Sequence, residues 1–356
     1  MPTPRSPIIP LTPYIGPAGG RITTSDLLLD ANECTQGPSE IVLSALQEAL
    51  KNPRTIRCYP EYGHLSDLLA QYAGLSAACV LPTNGSDQAI DIIMRCYADR
   101  DDEVIIPAPS FATFFHAACL QGCTIRSPLY SRESGFPIDD VLAAINPRTR
   151  VIVICNPNNP TGTVVGPDAI TRIALAAPDA IILVDECYVE FSGVTVAPLL
   201  CEYSNMVITR TLSKTWALAG LRIGYILAPK EIITELSKVR GPYDVNALAA
   251  IGACAALSSP EPMHRYAKEV STISRPLFQS FLEKKGIPFW ESGANFILLQ
   301  PPHPERCEPF FNAAGLRIRP RSGPAIEGTV RITLGTQGET ERLIEVFERF
   351  LASANV

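Results

Sequence analysis

Val151-Ile-Val-Ile-Cys-Asn-Pro-Asn-Asn-Pro-Thr-Gly162 is the stretch that decides the fold. Its five apolar residues make a run of strand length with no polar face, which suits a strand covered on both sides. Two prolines and a glycine then shape a tight turn that aims Asn159 at one fixed point. The pattern repeats outward. Glu103-Val-Ile-Ile106 ends at Pro107, Ile181-Ile-Leu-Val184 ends at Asp185, and Met206-Val-Ile-Thr209 leads to Ser213-Lys214. Helical spacing lies between these runs: Ile90, Ile93, Met94 and Tyr97 follow Ser86-Asp87, which can cap and start a helix. Strand, loop and helix in alternation predict an α/β fold with a large domain built on a mostly parallel sheet. Ligands in such sheets sit at the carboxyl ends of the strands, where the polar residues accumulate here.

After about residue 245 the pattern changes. Ala294-Asn-Phe-Ile-Leu-Leu-Gln300, Leu316-Arg-Ile-Arg319 and Val330-Arg-Ile-Thr-Leu334 predict three strands of a separate small sheet. Leu343, Val346, Phe347 and Phe350 share one face of a closing helix. The chain therefore divides into an arm rich in Pro, Gly and Thr at 1–27, a large domain at 28–244, and a small α+β domain at 245–356. A net charge of −6 and the lack of a long basic run argue against nucleic acid or an anionic membrane as partner. No secretory signal and no membrane-length apolar run is evident, so a soluble, cytoplasmic protein is expected. Eleven scattered cysteines without a CxxC pair read mostly as small buried hydrophobes. His64, His116, His264 and His303 lie far apart, and no metal is expected.

The residues at the strand ends carry the chemistry. Lys214, among hydroxyls and followed by Arg222, suits a Schiff-base lysine, although a single lysine in a loop more often lies at the surface. Asp185 closes a buried strand, where a carboxylate needs a partner such as a pyridinium N–H or a helix start. Tyr188 suits either a donor to a ring oxygen or core packing. Asn84-Gly-Ser-Asp87 suits either a phosphate cradle at a helix N-terminus or a plain cap. Phe111 suits either stacking on an aromatic ligand or the core.

Taken together, these segments resemble the fold-type I pyridoxal-phosphate (PLP) aminotransferases, the histidinol-phosphate aminotransferases in particular. The resemblance runs from about residue 11 to the end. It rests on Leu11-Thr-Pro-Tyr14, Asp30-Ala-Asn-Glu33, Tyr59-Pro60, Asn84-Gly-Ser-Asp87, Asn156 to Gly162, Asp185-Glu-Cys-Tyr188, Ser213-Lys214, Leu218-Ala-Gly-Leu-Arg222 and Arg331-Ile-Thr-Leu-Gly335. It implies that Lys214 holds the cofactor and moves the α-proton, that Asp185 pairs with the pyridine nitrogen, and that Asn159 and Tyr188 hold the ring oxygen. Phe111 would stack on the ring. Ser86, Asp87, Thr211, Ser213 and Arg222 would surround the cofactor phosphate, with Tyr59 arriving from the partner of a homodimer. Asn32 would belong to the substrate side, and Arg331 would clamp a carboxylate. Arg319 and Tyr14 would meet a substrate phosphate, while Arg317 and Arg321 read as solvated charges.

The sequence departs from the family at Cys58, usually arginine, at Cys34-Thr35, usually an Asn-Pro-like pair, and at Cys187, more often alanine. The implied reaction is transamination of L-histidinol phosphate with 2-oxoglutarate. Three alternatives share the scaffold: an aromatic or other amino-acid aminotransferase, a threonine-phosphate decarboxylase, and a PLP-binding regulator. The decarboxylases usually carry His-Gly-Gly where this chain has Ala18-Gly19-Gly20, and the regulators add a basic DNA-binding segment.

Overall fold

The computed structural model describes residues 2–13, 16 and 19–354. Its strands are β1 (Leu27–Leu28), β2 (Val80–Thr83), β3 (Glu103–Ile105), β4 (Thr124–Arg126), β5 (Thr149–Cys155), β6 (Ile181–Asp185), β7 (Met206–Thr211), β8 (Gly224–Leu227), β9 (Phe296–Leu299), β10 (Leu316–Arg317), β11 (Arg319–Arg321) and β12 (Thr329–Thr333). Seven form one sheet in the order β2-β8-β7-β6-β5-β3-β4. All neighbours in it are parallel except β8, which runs against both β2 and β7.

The expected two-sided burial is present. Ile152, Ile154, Ile182, Val184 and Ile208 pack into one core cluster. The alternate residues Val151, Val153, Ile181, Leu183 and Val207 pack into another on the opposite face. Strands buried on both faces have no polar side to show, and this explains the continuous apolar runs. The register sets Cys155 beside Asp185 and Asp185 beside Thr209. The last residues of β5 and β6 thus stand in one row with Thr209 of β7 at the carboxyl edge.

Three strands of this sheet give little sequence signal. β2 and β4 are edge strands, and β2 contains Pro82, which an edge tolerates because no ladder N–H is needed there. β8 begins with Gly224, where a Cβ would stand 2.7 Å from the backbone of Gly85 and Ser86. Only a glycine lets the start of the helix Gly85–Tyr97 lie against the sheet. That helix starts two residues earlier than its sequence suggests, with Asn84 as N-cap and no side-chain cap bond. Ser86 and Asp87 lie within its first turn rather than capping it.

The C-terminal sheet corrects one expectation. Residues 316–319 do not form one strand. Leu316–Arg317 pairs in parallel with Leu27–Leu28, and only Arg319–Arg321 joins the antiparallel sheet β11-β12-β9. The backbone at Gly315 and Arg317 is occupied by Leu27 and Leu29, so the chain must shift before it can pair with β12. Pro320 sits on the free edge strand, where it costs no ladder bond. Arg319 pairs directly with Arg331. The closing helix Gln337–Ala354 buries Leu343, Val346, Phe347 and Phe350 as expected. The arm is not extended throughout, since residues 6–10 form turns.

The cysteines are less buried than expected. Cys155, Cys187 and Cys307 are buried, Cys58 and Cys201 are exposed, and the other six are intermediate. Among the described residues no cluster of three or more His, Cys, Asp or Glu could hold a metal ion, and no helix is long and apolar enough to cross a membrane.

Candidate active site

A cavity of about 200 Å³ opens at the carboxyl edge of the large sheet. It gathers most of the residues singled out in the sequence: Asn32, Ser86, Asp87, Phe111, Asn159, Asp185, Tyr188, Thr211, Ser213, Lys214, Arg222, Arg319 and Arg331. Tyr59 does not line it. That ring is 76% exposed and stacks on Tyr243 at 4.3 Å between centroids. Tyr14 lies outside the described residues.

The turn after β5 works as its composition suggests. Asn156 bridges the turn by donating to the Val165 carbonyl and accepting from its N–H, both at 2.9 Å. Asn158 donates to the Pro109 carbonyl and to Thr161 Oγ1, and accepts from Ser110 at 2.8 Å. With two asparagines spent on the scaffold, Asn159 is left to face the cavity. There its Oδ1 accepts from the Arg331 guanidinium at 2.6 Å, and Arg331 also donates to the Asp30 carbonyl at 2.6 Å. One buried side chain therefore ties the small sheet, the turn and the N-terminal segment together.

On the same side Asn32 adopts φ 54°, a left-handed conformation that asparagine tolerates well. Its amide donates to Tyr188 Oη at 3.0 Å and accepts from Thr333 at 3.2 Å. Asp185 is no helix cap. It ends β6, is almost wholly buried and accepts from Thr209 Oγ1 at 3.0 Å. Tyr188 is buried and packs edge-on against Phe296, so it serves the core and the cavity at once.

One part of the lining comes from β7, the loop after it and the first turn of the helix Gly85–Tyr97. Thr211 Oγ1 donates to Ser213 Oγ at 3.0 Å and accepts from the Ser213 N–H. Arg222 pairs with Asp87 at 2.9 Å, both side chains about half exposed. Gly85 has φ +74°, and a Cβ there would sit 2.7 Å from the Arg222 guanidinium. The first backbone N–H groups of a helix have no helical acceptor and suit an anion.

Arg321, expected as a solvated charge, instead lines the cavity with Arg319. The signal was present in the i, i+2 spacing, which puts both on one face of a strand. Arg317 belongs to the other side of the break at Ile318. It donates to Asp26 at 2.9 Å and to the Gly19 carbonyl rather than standing as a solvated charge. Asp30, Ala31, Cys155 and Cys187 also line the cavity, although no role there is expected of them from the sequence.

Lys214 donates to the Ala31 carbonyl at 2.9 Å. Burial, and next the Arg331 charge, push its amine down to about 8. A lysine so placed is partly a free base at neutral pH. Burial raises the Asp185 carboxyl to about 6, against hydrogen bonds from Cys187 and Thr209 that favour its charged form. The unfolded carboxyl ionises near 3.8. The folded protein therefore holds the extra proton between these values. The contribution to stability is fully present below about 3.8, and is lost as pH rises through about 6. In cofactor-free protein, urea unfolding at pH 4, 5.5 and 7 should show Asp185→Asn gaining on wild type by on the order of 3 kcal/mol across this window. A difference that does not vary with pH would contradict it.

Comparisons with known proteins give the family. The aminotransferase class I and II family matches residues 24–347. Histidinol-phosphate aminotransferase from Methanococcoides burtonii is 32% identical over 91% of this chain and 90% of its own length. That from a Ruegeria species is 33% identical over 99% and 98%. The crystal structure of histidinol-phosphate aminotransferase from Sinorhizobium meliloti in complex with pyridoxal-5'-phosphate has the same fold. Its TM-score is 0.85 over 97% of this chain and 98% of that one, at 22% identity. The chain thus belongs to the class I and II aminotransferases, and is a PLP-dependent aminotransferase resembling the histidinol-phosphate aminotransferases.

Proposed function

We propose that this enzyme transfers the amino group of L-histidinol phosphate to 2-oxoglutarate, giving imidazole acetol phosphate and L-glutamate. The observation that carries this reading is the wall of three arginines, Arg319, Arg321 and Arg331, on the cavity that contains Lys214. A second cavity of about 730 Å³ abuts the first and shares Arg319 and Arg321 with it, which leaves room for a donor's side chain. The histidinol-phosphate aminotransferases among the relatives support the same choice.

The residues present fit the cofactor. A buried carboxylate at Asp185 suits a protonated ring nitrogen, and the hydroxyls and guanidinium around Gly85 suit a phosphate. PLP supplies an electron sink that stabilises charge at the α-carbon of an amino acid. Asp185 would keep the ring nitrogen protonated. Asn159 and Tyr188 would hold the ring oxygen, and Phe111 would cover one ring face. Ser86, Asp87, Thr211, Ser213 and Arg222 would seat the phosphate, with Asp87 fixing Arg222 through their ion pair. Lys214, lowered to about 8, takes the α-proton and returns it. Arg331 and Arg319 meet the donor phosphate in one half-reaction. In the other, Arg331 takes the α-carboxylate of glutamate and Arg319 its side chain.

The same reading divides the chain at 1–27, 28–244 and 245–356, supported by seven strands of one sheet between 80 and 227 and a second sheet between 296 and 333. It also makes the protein a homodimer in which Tyr14 and Tyr59 serve the partner's cavity. The exposure of Tyr59, away from its own cavity, supports this.

A panel of amino donors, phosphorylated and not, tests the substrate. Histidinol phosphate should give the highest kcat/KM. Arg319→Ala should lower it roughly 10- to 150-fold, as expected for a lost charge-assisted contact, while affecting phenylalanine far less. Wild-type enzyme that prefers phenylalanine would refute the substrate assignment. Assembly has its own assay: inactive Tyr59→Ala and Lys214→Ala protomers, mixed, should recover part of the activity because one hybrid site keeps both residues. A fully active monomer in light scattering would contradict the shared site.

A further inference from the structure

The helix Val189–Ser192 is capped by Tyr188 and begins four residues after Asp185 ends β6. Its Glu190 points away from the cavity, toward the segment that follows Lys214. Glu190 accepts from Thr215 Oγ1 at 3.0 Å on one oxygen. On the other it accepts from Trp216 Nε1 at 3.1 Å and from Tyr72 Oη at 3.2 Å. Thr215 and Trp216 are buried, and Trp216 also meets the Tyr72 ring edge-on at 5.1 Å. Burial raises the Glu190 carboxyl, and its own backbone N–H, the Arg210 charge and the Trp216 and Thr215 donors oppose the rise. The Lys214 amine is set chiefly by burial and the Arg331 charge.

The backbone explains why such a clamp is needed. Ala217 has φ 57°, a left-handed conformation that a Cβ disfavours. Its N–H bonds back to the Lys214 carbonyl at 3.2 Å, and the Leu218 N–H bonds to the Leu212 carbonyl. The lysine therefore rides on a tight, unfavourable turn, and such turns persist only where surrounding contacts over-determine them. Glu190 supplies two of those contacts, at the two residues between Lys214 and Ala217.

We infer that Glu190 is a positioning residue for Lys214, holding the turn on which the lysine rides through Thr215 and Trp216. This rests on the reading that Lys214 moves the α-proton. Glu190 acts through geometry, since a small displacement of a proton-transfer group is costly in rate.

The test uses holoenzyme, the fastest donor of the panel and that donor deuterated at the α-carbon. Glu190→Ala should lower kcat about 10- to 100-fold, with KM held within about threefold. The α-deuterium isotope effect should rise as proton transfer becomes limiting. Glu190→Gln keeps an accepting oxygen and should stay within about fivefold of wild type. Trp216 emission, read in a Trp290→Phe background, should shift in Glu190→Ala and not in Glu190→Gln. If Glu190→Ala does not fold, Thr215→Val removes one bond alone and should still raise the isotope effect. Wild-type kcat and isotope effect in Glu190→Ala, or in Thr215→Val, would overturn the inference. A normal Glu190→Ala beside an inactive Lys214→Ala would remove only this inference. An active Lys214→Ala would remove the reading beneath it as well.

Discussion

A buried guanidinium has to find acceptors, and Arg331 finds them on elements far apart in sequence. Asn159 belongs to the turn after β5 and Asp30 to the N-terminal segment, while Arg331 itself stands in β12. Leaving such a charge unpaired would cost several kcal/mol, so closing the small sheet over the large one and forming the cavity are one event. The same charge reaches Lys214 and, with burial, pushes its amine toward neutrality. Structure and reactivity thus share one cause.

The cavity sorts its charges by what surrounds them. Asp185 is buried at the end of β6, and burial outweighs its donors, which leaves its carboxyl raised. Arg222 is paired with Asp87 and half exposed. A ligand that is cationic at one end and anionic at the other matches this gradient. The close contact of Gly224 with Gly85 and Ser86 sets where the anionic end can sit.

Much of this was legible in the sequence because buried parallel strands announce themselves. β5, β6 and β7 are apolar on both faces, and the residues that close them, Asn159, Asp185 and Lys214, all reach the cavity. β2, β4 and β8 escaped notice because edge strands and a glycine-led strand follow other rules. Pairing by residues distant in sequence was not legible either. The pattern 316–319 looks like a strand, and only the arrival of Leu27 and Leu28 shows why it breaks at Ile318. That break separates Arg317 from Arg319 and Arg321, and turns one apparently surface charge into a cavity residue. Glu190 carried no motif at all, since its role depends on three hydrogen bonds from two other segments.

The account depends most on Lys214 being a buried amine beside a fixed cation. Competitive labelling of the cofactor-free protein with acetic anhydride across pH 6–11, with the Lys214 peptide quantified by mass spectrometry, reads its ionisation directly. The account predicts a midpoint near 8, moving upward in Arg331→Met, because removing a neighbouring positive charge favours the protonated form. A midpoint near the ordinary lysine value of 10.5, unchanged by Arg331→Met, would contradict it.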